Sequence, residues 1–320
     1  MHNIALIGCG NIGRRHLQAL ALSEQDANIV IVEPNPQARD AAQEVLPINS
    51  PAHVTFTDTL AGMNPALSGP LDLAIIATAA DVRKLVVTDL IRHAAPNTLL
   101  LEKVLLTSVK DLKDVGKLLG EHKITTHVNC GRRGFPGYNT LRQALQNRHG
   151  FQMEVTGRGW GLCSNAVHFM DLAEYLFSAR ITALSGHQLD EGFFSAKRKD
   201  CIEVSGKLLG TLTNGGKLTI ECQPGSFEPL VIKVSCGDEK WSIDEAKRMI
   251  VHTSEAQGQK IEPFEAYNVS EMSHLYVDLL KGRSLLPTYA QSADQHIFLI
   301  NTLKQHLRIS DNESVSCPIS

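Results

Sequence analysis

The chain has 320 residues, of which 43% are hydrophobic and 20% charged, and its formal net charge is −3. This length suits two domains or one large one, and the small net charge gives no indication of a nucleic-acid partner. No apolar run approaches the roughly 18 residues of a transmembrane helix, so we expect no membrane partner. The seven cysteines are odd in number and lack CxxC spacing, which indicates reduced thiols in a cytoplasmic protein without a disulfide framework or a metal site.

Residues 3–33 predict a strand, a glycine turn, a helix and a second strand. Gly8 lets the chain turn tightly out of the strand, Gly10 lets a pyrophosphate approach the backbone, and Gly13 lets the helix pack close to the strand. The helix start at Asn11 and Ile12 directs free N–H groups at the phosphates. This context on both sides of the turn favours a dinucleotide site over a turn that binds nothing.

Glu33 ends the second predicted strand, 20 residues after Gly13. A carboxylate at this spacing can accept hydrogen bonds from the hydroxyls of the adenosine ribose. Because a carboxylate repels a 2′-phosphate, Glu33 favours NAD over NADP as the cofactor. Arg39 could fold back towards the ribose, which keeps NADP as the alternative.

The remainder of the N-terminal part alternates strands with helices, which predicts a doubly wound parallel sheet. A nearly continuous apolar run at residues 71–78 fits a strand that is buried on both faces. We therefore expect a Rossmann domain over residues 1–130, within an α/β protein. Its other elements are predicted strands at residues 98–102 and 124–129 and predicted helices at residues 36–45, 81–94 and 107–121.

The pattern changes after residue 130, and from residue 181 the chain is rich in strands. The residues at 213–216, Thr-Asn-Gly-Gly, predict a hairpin turn between two such strands. We expect residues 131–320 to form an α+β domain with a large open, mainly antiparallel sheet, and the C-terminal helices to pack back towards the first domain. One face of that sheet must be covered, which favours an oligomer over a sheet with one solvent-exposed face.

Lys103 directly follows Glu102 at the carboxyl end of a predicted parallel strand, where open α/β sheets bind their ligands. A lysine near a nicotinamide can donate a hydrogen bond to a substrate oxygen and can help to move a proton. The alternative is a solvated lysine at the end of a strand.

A predicted helix from residue 165 carries a second group of polar residues. His168 and Asp171 are three apart and share a face of this helix, and Asn165 lies on or near the same side. Histidine suits proton transfer near neutral pH, and a carboxylate could orient it. The alternative is a histidine that only packs.

Arg132 and Arg133 lie close to the predicted domain boundary. Two guanidinium groups could bind a carboxylate or a phosphate, which makes an acidic or nucleotide-linked sugar a candidate substrate. They could equally be surface arginines or ion pairs that clamp the domains. Trp160, just before the predicted helix, could stack on a sugar face or belong to the core.

Taken together, these motifs resemble the glucose–fructose oxidoreductase and inositol dehydrogenase (Gfo/Idh/MocA) family over nearly the whole chain. The resemblance implies NAD(P)-dependent oxidation of a hydroxyl on a sugar, an inositol or a related polyol. It implies that Lys103 is the active-site lysine and His168 the general acid/base. The expected cofactor contacts are Gly8, Gly10, Asn11, Ile12, Gly13, Glu33, Thr78, Glu102 and Lys103.

The chain departs from that family at two important positions. Val104 stands where the family has a proline after the lysine, and Ser164 stands where it often has an aspartate four residues before the histidine. Three options remain: Asp171 orients His168, Lys103 and His168 suffice without it, or the protein is catalytically weak. We therefore predict an NAD-dependent sugar or polyol oxidoreductase. The alternatives are a non-catalytic NAD-binding regulatory protein and redox-assisted glycoside cleavage with retained NAD.

Overall fold

The computed structural model describes residues 1–23, 26–47, 52–67, 69–256 and 258–320, which divide into two compact units. The first unit comprises Met1–Leu106, Lys110–Asn129 and Tyr267–Ser292. The second comprises Thr107–Val109, Cys130–Ala266 and Ala293–Ser320. The first unit thus includes a late segment of the chain as well as the N-terminal part.

The first unit is built on a parallel sheet of six strands. In chain order these are His2–Ile7 (β1), Ala27–Val32 (β2), His53–Thr57 (β3), Leu73–Ile76 (β4), Thr98–Leu101 (β5) and Thr125–Val128 (β6). Their spatial order is β3-β2-β1-β4-β5-β6, so the winding reverses direction between β1 and β4. Every residue of β2 and β4 is buried, as expected for strands covered on both faces. The predicted Rossmann sheet is confirmed.

Eight α-helices occur among the described residues. They are Asn11–Ala21 (α1), Pro36–Gln43 (α2), Ala80–His93 (α3), Val109–Glu121 (α4), Pro136–Ala144 (α5), Leu162–Phe177 (α6), Ser273–Leu280 (α7) and Tyr289–His306 (α8). The helix expected to start at residue 165 begins three residues earlier, because Gly161 adopts a left-handed conformation that turns the chain into α6. Short 3₁₀ helices occupy Ala61–Ala66, Gly131–Gly134 and Val269–Glu271.

The second unit contains an eight-stranded sheet and a two-stranded one. The strands are Phe151–Arg158 (β7), Ile181–Leu189 (β8), Phe194–Ser195 (β9), Ile202–Glu203 (β10), Gly206–Leu212 (β11), Lys217–Gln223 (β12), Glu228–Cys236 (β13), Glu239–Asp244 (β14), Met249–Ser254 (β15) and Gly258–Pro263 (β16). The large sheet has the order β16-β15-β14-β13-β7-β12-β11-β8, and β9 pairs with β10. All neighbours are antiparallel except β7 and β12, which are parallel. The predicted mainly antiparallel sheet is confirmed.

Two features of this sheet were not predicted. The edge strand β16 carries almost no apolar alternation, and most of its residues are exposed, so its pattern did not indicate a strand. The parallel pairing of β7 with β12 joins residues 65 positions apart, such as Gln152 and Lys217, which a local pattern cannot reveal. The hairpin predicted at residues 213–216 connects β11 to β12, with Gly215 at a φ of +80°. Across the described residues, no helix is both long and apolar enough to cross a membrane.

Candidate functional site

The glycine turn between β1 and α1 has the geometry that its three glycines predict. Gly8 has a φ of +90°, which side chains rarely tolerate. A Cβ on Gly13 would lie 2.1 Å from the carbonyl oxygen of Gly8, so only glycine permits this close approach. A Cβ on Gly10 would meet no heavy atom within 4 Å, so the space in front of this residue is open. The turn is therefore tightly packed at Gly8 and Gly13 and open at Gly10.

The N-terminus of α1 is available to an anion. Gly10 is the N-cap residue, and no side chain caps the helix. The first N–H groups of a helix lack intrahelical partners and carry a partial positive charge. Asn11 is exposed, and its Oδ1 accepts a hydrogen bond of 2.8 Å from Arg14 Nη2, which adds a cation close to the helix start. These features suit a pyrophosphate.

Glu33 follows β2 and is held against the glycine turn. Its Oε2 accepts a hydrogen bond of 2.7 Å from the backbone N–H of Cys9, and its Oε1 accepts one of 2.9 Å from the backbone N–H of Asn35. The residue is 9% exposed. Each carboxylate oxygen has two lone pairs, so the fixed side chain can still accept hydrogen bonds from ribose hydroxyls.

Arg39 does fold back, as the NADP alternative requires. Its Nη1 donates to the backbone carbonyl of Glu33 at 2.6 Å and to that of Pro34 at 3.2 Å. The guanidinium group therefore lies on the backbone side of Glu33, while the Glu33 carboxylate points to the turn. Both a carboxylate and a cation border this end of the site.

Thr78 provides an independent test of whether a cofactor fits here. It follows β4, and a Cβ on Gly8 would lie 3.1 Å from its Cγ2. Its Oγ1 is buried and makes no hydrogen bond within the described part of the chain. A buried hydroxyl without a partner is costly, and a ligand group beside the turn would satisfy it. The open space at Gly10, the uncapped α1 and this hydroxyl fit a dinucleotide.

Glu102 belongs to a buried hydrogen-bonded chain inside the first unit. His16 Nε2 donates to Glu102 Oε1 at 2.8 Å, and Asn129 Nδ2 donates to the same oxygen at 2.6 Å. His16 Nδ1 lies 2.6 Å from the hydroxyl of Tyr276, on α7. Because an ionised carboxylate only accepts, the hydrogen of the contact with Glu102 is assigned to His16 Nε2, and Nδ1 forms the hydrogen bond with Tyr276.

The pKa of Glu102 reflects this network. Burial on its own would raise the pKa of the carboxyl, but the hydrogen bonds from His16 and Asn129 and the attraction of His16 and Lys103 outweigh it and lower the pKa. Glu102 is therefore an ionised carboxylate that is fixed in place immediately before Lys103. Its position at the end of β5 matches the prediction, whereas its contact with His16 was not foreseen.

Arg83 organises the segment that carries Lys103. It projects from α3, is 2% exposed, and donates to the backbone carbonyls of Glu102 at 2.6 Å and Leu105 at 2.8 Å. It also donates to the carbonyls of Val104 and Thr78. Lys103 is half-buried within this segment, and the peptide bond that follows it is cis. One guanidinium group thus binds four backbone oxygens around the predicted active-site lysine.

The start of α6 carries the predicted His168 group in the second unit. Ser164, Asn165 and His168 are half-buried, while all the other residues of this helix are buried. Their spacing of three and four residues places Ser164 and Asn165 one helical turn before His168. The helix therefore presents one polar, partly open stripe at its N-terminal end.

Glu203 holds the N-terminus of this helix. It is 5% exposed, and its Oε2 accepts a hydrogen bond of 2.7 Å from the backbone N–H of Cys163. Its Oε1 accepts from the backbone N–H of Ser164 at 3.2 Å and from the Ser164 hydroxyl. Burial raises the pKa of the Glu203 carboxyl, although the hydrogen bonds from Ser164 and Cys163 oppose that shift. A carboxylate from β10 thus contacts Ser164, the position at which the resembled family often has an aspartate on the helix itself.

Asp171 forms a bidentate ion pair with Arg133, inside the second unit. Arg133 Nε and Nη2 lie 2.8 and 2.5 Å from the two carboxylate oxygens, and Gln295 Nε2 donates to Oδ1 at 3.3 Å. Burial raises the pKa of the Asp171 carboxyl against the attraction of Arg133. Asp171 is 1% exposed. The ion pair accounts for both residues structurally, and their predicted role in substrate binding stays a prediction.

Arg132 and Trp160 also have internal partners. Arg132 binds Glu245 through Nε and Nη2, each at 2.8 Å, and Glu245 also accepts from the hydroxyl of Tyr138 at 2.7 Å. Trp160 is 7% exposed, packs edge-on against Phe169 and donates its indole N–H to a backbone carbonyl of β12. These contacts correspond to the alternatives in which Arg132 forms an ion pair and Trp160 belongs to the core.

Sequence reasoning missed three residues of these sites: His16, Arg83 and Glu203. His16 lies three residues after Gly13, so a polar residue on the packed side of the dinucleotide helix was the available signal. Arg83 and Glu203 gave no local signal, because their partners are separated from them along the chain. Arg83 and Glu203 are recognisable only once the fold brings their partners together.

The fold and the glycine-turn site define a two-unit protein whose first unit is a dinucleotide-binding Rossmann domain. Residues 2–130 match the family model described as the oxidoreductase family, NAD-binding Rossmann fold, Gfo/Idh/MocA. The family match thus covers the N-terminal part of the chain, which carries the glycine turn, Glu33 and Lys103. A comparison with curated protein sequences finds no match.

Solved structures share the fold over nearly the whole length. UDP-N-acetylglucosamine 3-dehydrogenase GnnA from Acidithiobacillus ferrooxidans has 14% identity and a TM-score of 0.71, covering 97% of this chain and 98% of that one. A super-repressor mutant of Gal80p from Saccharomyces cerevisiae has 15% identity and a TM-score of 0.74, covering 96% of each chain. An oxidoreductase from Agrobacterium radiobacter in complex with NAD+, L-tartaric acid and magnesium has 14% identity and a TM-score of 0.72, covering 96% of each chain.

Proposed function

We propose that this protein is an NAD-dependent oxidoreductase that transfers a hydride between nicotinamide and a hydroxyl or carbonyl carbon of a sugar, acidic sugar, nucleotide sugar or polyol. The observation that carries the proposal is the fixed Glu102 directly before Lys103, in the same unit as the glycine turn. The buried carboxylate of Glu102 has two side-chain donors, and the guanidinium group of Arg83 binds the backbone carbonyl of the same residue. The segment around Glu102 is therefore rigid. A catalytic group acts most efficiently from such a pre-organised position.

The cofactor is NAD in this proposal. The N-terminus of α1 and the open side of Gly10 hold the pyrophosphate, Thr78 supplies a hydroxyl, and Glu33 accepts hydrogen bonds from the ribose. The carboxylate of Glu33 disfavours a 2′-phosphate. Arg39 is the one feature that supports NADP, and its contacts with the backbone carbonyls at Glu33 and Pro34 commit part of its donor capacity.

The chain supplies binding and proton transfer, and the nicotinamide supplies hydride chemistry when it is bound. Lys103 donates a hydrogen bond to the reacting oxygen and stabilises negative charge on it. His168 accepts or returns the hydroxyl proton, and Asn165 binds a substrate oxygen. None of these roles depends on Asp171, which has Arg133 as its partner.

The functions of two structurally similar proteins support a small hydroxylated substrate. One neighbour is a UDP-N-acetylglucosamine dehydrogenase, and another is described in complex with NAD+ and L-tartaric acid. We also propose a homodimer or homotetramer assembled through the large sheet. Exposed apolar side chains at Phe227, Met249 and Ile261 support this assembly.

A second candidate is a non-catalytic NAD-binding regulator. The observation that favours it is Ser164, which provides no carboxylate on α6 itself, together with the similarity to Gal80p, a transcriptional regulator in its Kluyveromyces counterpart. Redox-assisted glycoside cleavage with retained NAD is the third candidate.

The test is to assay the purified protein with NAD against neutral sugars, polyols, uronates and UDP-sugars while monitoring NADH. Net NADH formation with one substrate class supports the oxidoreductase. Tight NAD binding by calorimetry without turnover of any compound would favour the regulator. Glycoside cleavage without net NADH, by protein that carries stoichiometric NAD, would favour the third candidate.

A further inference from the structure

A cavity of about 520 Å³ lies within the second unit. It is bordered by the end of β8 with the residues that follow it, and by the C-terminal end of α8. Small-molecule sites usually have volumes of about 300–1,000 Å³, so this space can hold a compound the size of a monosaccharide. Its lining residues include none of those assigned above to the cofactor or to the substrate.

A β-bulge shapes one wall of this cavity. The pairing of β8 with β11 shifts register between Ser185 and Gln188, so that Gly186 and His187 face a single residue of the partner strand. A Cβ on Gly186 would lie 2.9 Å from Thr302 Cγ2 on α8, so glycine keeps the strand and the helix close together here. Bulges often redirect a side chain beside a binding site. His187 is the charged or polar side chain that this bulge contributes to the cavity.

The end of α8 forms the other wall. The helix ends at His306, and Arg308 follows with a φ of +56°. Its backbone N–H donates to the carbonyl of Gln305 at 3.3 Å. Residues other than glycine rarely adopt this left-handed conformation, and they concentrate at binding sites when they do. Gln305, His306 and Arg308 all border the cavity.

The polar side chains around the cavity are not used within the fold. In the described part of the chain, the side chains of Glu191, Gln305, His306 and Arg308 form no hydrogen bond or ion pair. His187 uses Nδ1 for a contact of 2.7 Å with the hydroxyl of Ser185, so Nε2 is the ring atom left for a ligand. The cavity therefore has polar groups whose hydrogen-bonding capacity is still available.

The chemistry of these groups suits an oxyanion on a hydroxylated compound. A guanidinium group binds a phosphate or a carboxylate bidentately, and imidazole and amide N–H groups can donate to the remaining oxygens. An ionised Glu191 can only accept, so it suits hydroxyl groups of the same ligand and disfavours a second anionic group. Arg132 and Arg133, the candidates for anion binding in the sequence, are paired instead with Glu245 and Asp171.

We propose that this cavity is a separate small-molecule site, which binds a hydroxylated compound carrying one phosphate or carboxylate group. Arg308, His187 and His306 bind the oxyanion, and Glu191 accepts hydrogen bonds from the hydroxyl groups. The inference goes beyond the proposed function, because this site holds neither the dinucleotide nor the reacting carbon. A phosphate ester and a carboxylate share the same recognition chemistry, and the choice between them is made by the titrations below.

The experiment is calorimetric titration of the 320-residue protein with D-glucose 6-phosphate and with D-glucuronate. At least one of them should bind, and the tighter one identifies the oxyanion. Arg308→Gln should weaken that binding about tenfold or more. Arg248→Gln is the matched control, because Arg248 is also exposed, lies in the same unit and has a φ of +53°. It should bind the ligand as wild type does.

Glu191→Gln tests the hydroxyl contacts through a ratio of affinities. Wild type should bind the acidic sugar about fivefold or more tightly than the bare ion, which is inorganic phosphate or acetate, since the ion has no hydroxyl groups for Glu191. Glu191→Gln should remove most of this advantage, because the amide oxygen is a weaker acceptor and no longer repels the bare ion.

Four results would overturn the inference. They are no binding of either acidic sugar, binding to Arg308→Gln as tight as to wild type, an equal loss in Arg248→Gln, and an unchanged ratio in Glu191→Gln. None of these measurements uses NAD or NADH formation, so their outcome is independent of the proposed function.

Discussion

The Glu33 carboxylate accepts a hydrogen bond of 2.7 Å from the backbone N–H of Cys9, the residue between two glycines of the turn. The end of β2 is thereby tied to the turn that follows β1. Burial and the nearby negative charge of Glu33 raise the pKa of the Cys9 thiol to about 11, so this cysteine stays neutral beside the site. The Glu33 side chain thus stabilises the turn and also faces the ribose position of the proposed cofactor.

Replacing Glu33 with glutamine should weaken NAD binding about tenfold, because charge-assisted hydrogen bonds are worth roughly 1.5–3 kcal/mol. The ratio of NADP to NAD affinity should rise, since the charge that repels a 2′-phosphate is lost. Calorimetric titration of both cofactors measures this effect. Asp40→Asn, at an exposed position of α2, is the control. Unchanged NAD affinity in Glu33→Gln would remove the carboxylate from cofactor binding.

Gly13→Ala should affect mainly stability, whereas Gly10→Ala should affect mainly the affinity for NAD. Gly13→Ala places a Cβ 2.1 Å from the Gly8 carbonyl oxygen, so the free energy of unfolding should fall by about 1–3 kcal/mol. Gly10→Ala meets no neighbour within 4 Å and should leave stability within about 0.5 kcal/mol of wild type. It should nevertheless reduce NAD affinity more than tenfold, because the Cβ occupies the approach to the backbone.

Chemical denaturation of the apoprotein and calorimetry with NAD separate these two effects. A Gly10→Ala variant that binds NAD as tightly as wild type would contradict the assignment of the pyrophosphate to this turn.

The buried Glu102 should make stability depend on pH in the acidic range. Its pKa is lowered in the folded protein, so its stabilising contribution is complete above the ordinary pKa of a glutamate and is lost as the pH falls through the lower folded value. Wild type should therefore lose stability more steeply than Glu102→Gln below about pH 4. Urea denaturation as a function of pH measures the difference. Parallel curves for the two proteins would show that Glu102 does not contribute to acid sensitivity.

Arg83 should contribute strongly to the free energy of unfolding, although it is distant in sequence from Lys103. Arg83→Met leaves four backbone carbonyls around residues 78 and 102–105 without their guanidinium donor, and should cost about 3 kcal/mol or more. Arg92→Met is the control, because Arg92 lies on the same helix with an exposed partner, Asp89. Denaturation curves compare the two variants. Equal stability would mean that the carbonyls find other donors.

The sequence predicted the conformation of the glycine turn well because its determinants are local. Gly8, Gly10 and Gly13 lie within one turn, and the distance from there to Glu33 is fixed by one helix and one strand. The alternation of strands and helices likewise predicted the parallel sheet. Where neighbouring residues along the chain determine the geometry, spacing and residue type are sufficient to predict it.

The contacts around the other predicted residues depend on distant segments. His16 reaches Glu102 and Tyr276, which follow it by 86 and 260 positions. Glu203 comes from a strand of two residues, too short for any periodic pattern, and still holds the start of α6. Helical spacing made Asp171 one of the options for orienting His168, whereas its bidentate partner is Arg133 on a separate element. Spacing identified the helix face but not the partners.

The central claim is that Lys103 participates in NAD-dependent oxidation of a hydroxyl group. The most direct measurement compares the NADH formation rate of wild type and Lys103→Met, at saturating NAD, on the best substrate from the panel. The account predicts a fall in kcat of about 100-fold or more, because the lysine acts on the reacting oxygen. Equal turnover by the two proteins would contradict it.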